Sequence, residues 1–230
     1  MNGIQDFLQP VWDTLGRHGD DLLVSLGETG YMLAVSLTAA VVLGLPLGMT
    51  VYLTARGGIA PNRVVWTAGN LFINVVRSFP FLLLVVFLIP VTRAIYGTTF
   101  GTPAATFSLC VVAVAIYARL VEQILREISP GIPRVARTLG ATLPQTVTRF
   151  LLPEATPGLV YALTSATISL LSYSTVLGVV GGGGVGDFAL RYGYQEYDYP
   201  LMYVTIAVIL IAVLVIQSAG HRLSVRLDHR

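Results

Sequence analysis

A chain of 230 residues that is 54% hydrophobic and 11% charged, with a mean hydropathy of +0.74, reads as an integral membrane protein and not as a soluble domain. Its formal net charge of +2 is too small to argue for a nucleic-acid partner, and its one cysteine, Cys110, excludes an internal disulfide framework or a cysteine-built metal site. All 14 basic residues are arginine, so the lysine that a P-loop sets on nucleotide phosphates is missing and any ATP hydrolysis belongs to another polypeptide.

The N-terminus lacks the basic region, short apolar core and cleavage site of a signal peptide, so the first span is expected to be kept. Leu8, Val11, Trp12 and Leu15 share one helical face, which suits a short interfacial helix with Trp12 at headgroup level. A solvated terminus suits Asp6, Asp13, Asp20, Asp21 and Glu28 equally well. Tyr31 to Leu53 carries no charge and is long enough to span. Gly44, Pro46 and Gly48 predict a kink there and a surface that another helix can approach closely. Arg56 to Arg63 is a Gly/Pro/Asn turn.

A second span is expected at about Leu71 to Pro90, with Arg77 roughly 10 Å inside it at the helical rise. A charge at such depth costs about 2–3 kcal/mol on insertion scales. Arg77 therefore either snorkels to the cytoplasmic surface as an anchor or lines a translocation path. The uncharged loop Tyr96 to Pro103 leads to a third span from about Ala104. Its apolar run ends at Arg119, and the Arg119, Glu122 and Arg126 spacings predict a helix that projects into solvent.

Ser129 to Val160 is the longest internal segment that could not sit in a bilayer, and its local signals describe two short helices joined by a turn. Pro133 suits a first helical turn and Gly140 a left-handed stop. Thr142 reads as an N-cap with Gln145 at capping-box spacing, and Pro144 is tolerated in the turn that follows. Pro153 and Pro157 are expected to break the second helix before the next span. Arg134, Arg137 and Arg149 make the segment basic, while Val135, Leu139, Leu143, Val147, Phe150 and Leu151 keep it half apolar. It is either an amphipathic loop on the membrane surface or a docking element for a partner.

The fourth span, Leu159 to Val180, is uncharged but rich in hydroxyls. Thr164, Ser165, Ser169, Ser172 and Thr175 fall within one arc of about 140°, with Thr167 and Ser174 outside it. Such a stripe either packs helices closely or wets a passage. Val176 and Leu177, just beyond it, would supply an apolar constriction. Gly181 to Gly184, with Gly186, end the span in a flexible or closely packed turn; no strand precedes them and no basic group accompanies them, so a nucleotide loop is not expected. Tyr192, Tyr194, Tyr197, Tyr199 and Tyr203 suit an interfacial belt. A last aliphatic span, about Leu201 to Ala219, ends in His221, Arg222, Arg226 and Arg230.

The pattern Ala136, Gly140, then Phe150-Leu151-Leu152-Pro153, resembles the "EAA" loop of ABC importer permeases, E-A-A-x3-G followed by I-x-L-P. Arg134 stands at the Glu position, Val135 at the first Ala and Phe150 at the Ile. The flanking runs LGAT, LLPEATPGLV, RSFPFLLLVVFLIPVTR and YGYQEY are similar to permease subunits of methionine ABC importers in particular, from about Gly30 to the C-terminus. The resemblance implies an all-α, polytopic protein of five transmembrane helices with the type I importer permease fold, a single permease domain over 1–230. It implies a homodimer in the bacterial inner membrane, two copies of a partner ATPase and a periplasmic or lipid-anchored substrate-binding protein, with no cofactor or metal. The ATPase-coupling residues would be Arg134, Val135, Ala136, Arg137, Thr138, Leu139, Gly140, Ala141, Leu152, Pro153 and Glu154. The path would involve Arg77, Ser165, Ser169, Ser172, Thr175, Val176 and Leu177.

Charge alternation offers a separate indication of topology. Arg56 to Arg63, Arg119 to Arg149 and Arg222 to Arg230 form one set of polar segments; Arg17, Arg93 and Arg191 mark the other. By the positive-inside rule the arginine-rich set is cytoplasmic, which puts the N-terminus outside and the C-terminus inside. An ABC permease for another amino acid or small solute is the alternative. An ion-coupled transporter would set carboxylates at mid-membrane, and an intramembrane hydrolase would need a base there; the spans offer neither.

Overall fold

The computed structural model describes residues 3–228, with side chains from residue 16 onward; among them it has ten α-helices, three π-helical turns and no strand. The side chains of Leu8, Val11, Trp12, Leu15 and Arg230 lie outside the described residues. Among the described residues, four helical stretches are long and apolar enough to cross a membrane: Gly16–Thr54, Thr102–Glu127, Leu143–Val179 and Tyr199–Leu227. A fifth candidate is the broken pair Arg63–Ser78 and Phe81–Tyr96.

The first helix, α1 (Gly3–Ala39), carries the N-terminal segment straight into the first span. The helix expected around Leu8 to Leu15 is the start of this longer one: no proline interrupts residues 11–45, and isolated glycines weaken a helix by only about 1 kcal/mol each. Pro46, which has no N–H to give, follows a single wide turn at Ala40–Gly44, where the Leu45 N–H reaches back to the Ala40 carbonyl. Helix α2 (Leu45–Thr54) completes the span.

Helix α3 (Arg63–Ser78) starts at Asn62, whose side chain accepts from the Val64 and Val65 N–H groups at 3.1 and 3.2 Å. It stops at Phe79, held extended (ψ 132°) by the proline that follows, and α4 (Phe81–Tyr96) begins afresh. The span expected at about Leu71 to Pro90 is therefore a pair of helices bent at Pro80. Arg77 is not buried: it is exposed in the last turn of α3, where a cation complements the helix dipole.

Helices α5 (Thr102–Glu127), α6 (Gly131–Thr138), α7 (Leu143–Gln145), α8 (Leu152–Val179), α9 (Gly184–Phe188) and α10 (Tyr199–Leu227) follow. Wide turns at Thr146–Leu151 and Ala189–Gln195 join α7 to α8 and lengthen α9. The chain divides into two compact units.

The first unit comprises Met1–Ser36, Phe81–Leu109 and Ile168–Ile216. Leu22, Phe188 and Leu201 form a buried cluster within it, with Leu26, Tyr192 and Val204 packed around them. The start of α9 is capped from α1: the Gly184 N–H donates to the Glu28 carboxylate at 2.6 Å, and the Val185 N–H to Thr29 Oγ1 at 2.9 Å. The glycine run is a closely packed turn, since a Cβ at Gly186 would meet the backbone of Thr175. Ile206, Leu210, Ile211, Leu214 and Val215 of α10 are exposed, a surface suited to lipid.

The second unit comprises Leu37–Pro80, Cys110–Thr167 and Gln217–Arg230. Val51, Ile73 and Ala118 are its buried cluster, with Leu47 and Trp66 against them. Gly44 and Gly48 bring α2 against α5: a Cβ at Gly44 would stand 2.9 Å from the Val114 carbonyl, and one at Gly48 would run into that of Ala118. Ser224 of α10 donates to the Pro157 carbonyl of α8 at 2.9 Å. Arg119 and Arg126 both pair with Glu122, as their spacing predicts, but Glu122 is 1% exposed. This end of α5 packs its Glu122 face inside the unit while Gln123, Arg126 and Glu127 are exposed, and Arg119 also donates to Asn74 Oδ1 of α3 at 2.6 Å.

Candidate functional site

Helix α6 ends in two hydrogen bonds that define a Schellman cap. The Ala141 N–H donates to the Ala136 carbonyl and the Gly140 N–H to that of Arg137, both at 3.0 Å. Gly140 has φ +70°, the left-handed geometry the sequence asks for at that position. Two residues on, Thr142 opens the next helix with a complete capping box. The Gln145 N–H donates to its hydroxyl at 3.5 Å, and its own N–H donates to Gln145 Oε1 at 2.9 Å. Stop and start are thus fixed by local hydrogen bonds over Ala136 to Gln145, leaving little slack between the two helices.

The faces of α6 divide the expected coupling residues. Ala136 is fully buried, so the chain's own interior covers it. Val135 and Leu139 are 54% and 70% exposed, a bare apolar edge one turn long. Arg134, Arg137, Thr138 and Gly140 are exposed and Ala141 is half-buried. Leu152 and Glu154 are half-buried and Pro153 is exposed at the start of α8, directly beyond the wide turn against which α6 packs.

The expected break at Pro153 and Pro157 does not occur, since Leu143–Val179 runs on as one helical stretch. The wide turn makes room for Pro153, with the Leu152 N–H bonded to the Val147 carbonyl five residues back. The elbow at Gly140 is consequently continuous with the fourth span.

The residues expected along a path fall in both units. In the second, Arg77 is exposed and Ser165 is partly exposed. In the first, Ser172 is exposed, Ser169, Thr175 and Val176 are partly exposed, and Leu177 is fully covered, so of the apolar pair Val176 offers the surface. Thr167 and Ser174, outside the stripe, are buried. Ser165 and Ser172 donate to the carbonyls of Tyr161 and Ile168 at 3.2 and 3.3 Å, and Thr175 to that of Ser172 at 2.7 Å. Hydroxyls bonded to their own helix still present an accepting oxygen to water or solute.

Sequence reasoning missed a cleft. The turn Arg56 to Arg63, the end of α5 and the start of α6 enclose about 1070 Å³ within the second unit. No motif marks it, because its walls are brought together by the packing of α2, α3 and α5.

Residues 40–230 match the family described as binding-protein-dependent transport system inner membrane component. The probable D-methionine transport system permease protein MetI of Vibrio cholerae is 41% identical over 213 residues, covering 93% of this chain and 95% of the relative. The methionine import system permease protein MetP of Bacillus subtilis is 35% identical over 179 residues, covering 78% and 81%. An inward facing conformation of the MetNI methionine ABC transporter superposes with a TM-score of 0.88 at 40% identity, covering 90% of this chain and 96% of that one. A structure of an amino acid ABC transporter with histidines shares the fold at a TM-score of 0.77 and 18% identity, covering 93% and 97%. The chain belongs to the family of inner membrane components of binding-protein-dependent transport systems.

Proposed function

We propose that this multi-pass inner-membrane permease subunit serves an ATP-driven importer for methionine, and that two copies of the chain enclose the path. Relatives named for methionine transport, 35% to 44% identical, support the substrate. Four or five spans are few to surround a passage, which supports pairing. The chain works as one transmembrane domain with residues 129–153 as its coupling segment.

The observation that carries the mechanism is the double-capped elbow. An ATPase groove receives α6 along its exposed edge, Val135 and Leu139, with Arg134, Arg137 and Thr138 flanking it. Movement of the ATPase pair displaces α6, and the fixed turn at Gly140 and Ala141 passes that displacement through Leu152, Pro153 and Glu154 into α8. A Gly/Ser loop would absorb it. Tilting of α8 opens the path, lined by Ser165, Ser169, Ser172 and Thr175, with Val176 offering the apolar constriction, the covered Leu177 packed behind it, and Arg77 at its margin. Arginine distribution supports an external N-terminus and a cytoplasmic C-terminus, which puts α6 on the ATPase side.

Proteoliposomes test this reading. The chain reconstituted with a cognate ATPase and binding protein is expected to accumulate methionine only with ATP inside the ATPase compartment. Accumulation by this chain alone would overturn it.

A further inference from the structure

The cleft between the Arg56 to Arg63 turn and α6 is lined by five arginines, Arg56, Arg63, Arg126, Arg134 and Arg137, and by no carboxylate among the described residues. Arg126 donates to the buried Glu122 at 2.6 Å. The other four have no carboxylate partner among the described residues. Guanidinium groups gathered around one concavity repel one another until an anion enters between them, and their planar forks match phosphate oxygens in pairs.

The position of the cleft says what carries that anion. The span Gly16–Thr54 ends at its wall, and the span Thr102–Glu127 contributes Arg126 to it, so the cleft sits where apolar helix gives way to polar chain. Tyr52 and Trp66 line it, the aromatic types that favour headgroup level. Ile59, Pro61, Ile128 and Pro130 line it beside the arginines, so apolar surface adjoins the charge. Cationic cleft and apolar shoulder together suit a phosphate with an acyl chain beside it. An acidic protein segment has no use for the shoulder.

We propose that this cleft binds the phosphate-bearing headgroup of an anionic phospholipid. Pro133, Arg134 and Arg137 occupy one face of α6, and Val135 and Leu139 another. Arg134 and Arg137 thus border both the cleft and the ATPase-facing edge, while Val135 and Leu139 do not line the cleft, and Arg56 and Arg63 belong to the cleft alone.

Native mass spectrometry of the purified full-length chain tests it, with phosphatidylglycerol and phosphatidylcholine of equal acyl length offered together. The wild type is expected to retain phosphatidylglycerol about tenfold over phosphatidylcholine, less as salt rises from about 0.1 M to about 0.5 M. The pair Arg56→Gln and Arg63→Gln is expected to abolish the preference, and the pair Arg222→Gln and Arg226→Gln, outside the cleft, to keep it. Equal retention by the wild type would overturn the proposal, as would equal loss in both variants. Binding of inorganic pyrophosphate without any lipid preference would also overturn it, marking a site for free phosphates. Should the first variant not fold, the wild-type lipid comparison decides alone.

Discussion

Gly140 and Glu122 show how much a single position can govern here. A side chain at Gly140 would have to adopt φ +70°, which costs about 1–2 kcal/mol. Gly140→Val is expected to lower the thermal unfolding midpoint and to reduce methionine taken up per ATP hydrolysed; an unchanged ratio would count against the turn as a transmitting element. Glu122 holds two arginines from an almost wholly buried position, so Glu122→Ala is expected to destabilise the protein by about 2–3 kcal/mol. The exposed Glu127→Ala is the control, with no shift in the same melting experiment. The left-handed glycine and the capping box were readable in the sequence because both are set by neighbours within five residues. The burial of Glu122 was not. It depends on α3, whose Asn74 meets Arg119 from 45 positions away.

Among the elements, helix breaks divide into those that proline fixes alone and those that the surroundings decide. Pro80 ends α3 by its effect on Phe79, and only the apolar run across it suggested a single span. Pro46 and Pro153 are absorbed by wide turns instead, an outcome the residue type does not foretell. The close approach of α2 to α5 was legible in Gly44 and Gly48, though their partner was not. Gly48→Leu is expected to destabilise the protein by about 1–3 kcal/mol or prevent its accumulation, because the Ala118 carbonyl occupies the space. Gly27→Ala, in a helix with nothing within 4 Å, is expected to raise stability by up to about 1 kcal/mol in the same thermal assay. If both glycines tolerated substitution equally, the α2 and α5 contact would not be the tight one described.

For the molecule as a whole, composition and arginine placement carried the class and the expected topology, since a bilayer imposes length and charge rules on every span at once. The cleft escaped that reading because no periodicity links Arg56 to Arg137. The central claim is that α6 presents its Val135 and Leu139 edge to the partner ATPase in the cytoplasm. Single cysteines at Leu139 and at Tyr194, both exposed, test it by crosslinking to a cysteine on the ATPase within the assembled transporter. The expected result is a nucleotide-sensitive crosslink from Leu139 and none from Tyr194. A crosslink from Tyr194 with Leu139 silent would contradict the account.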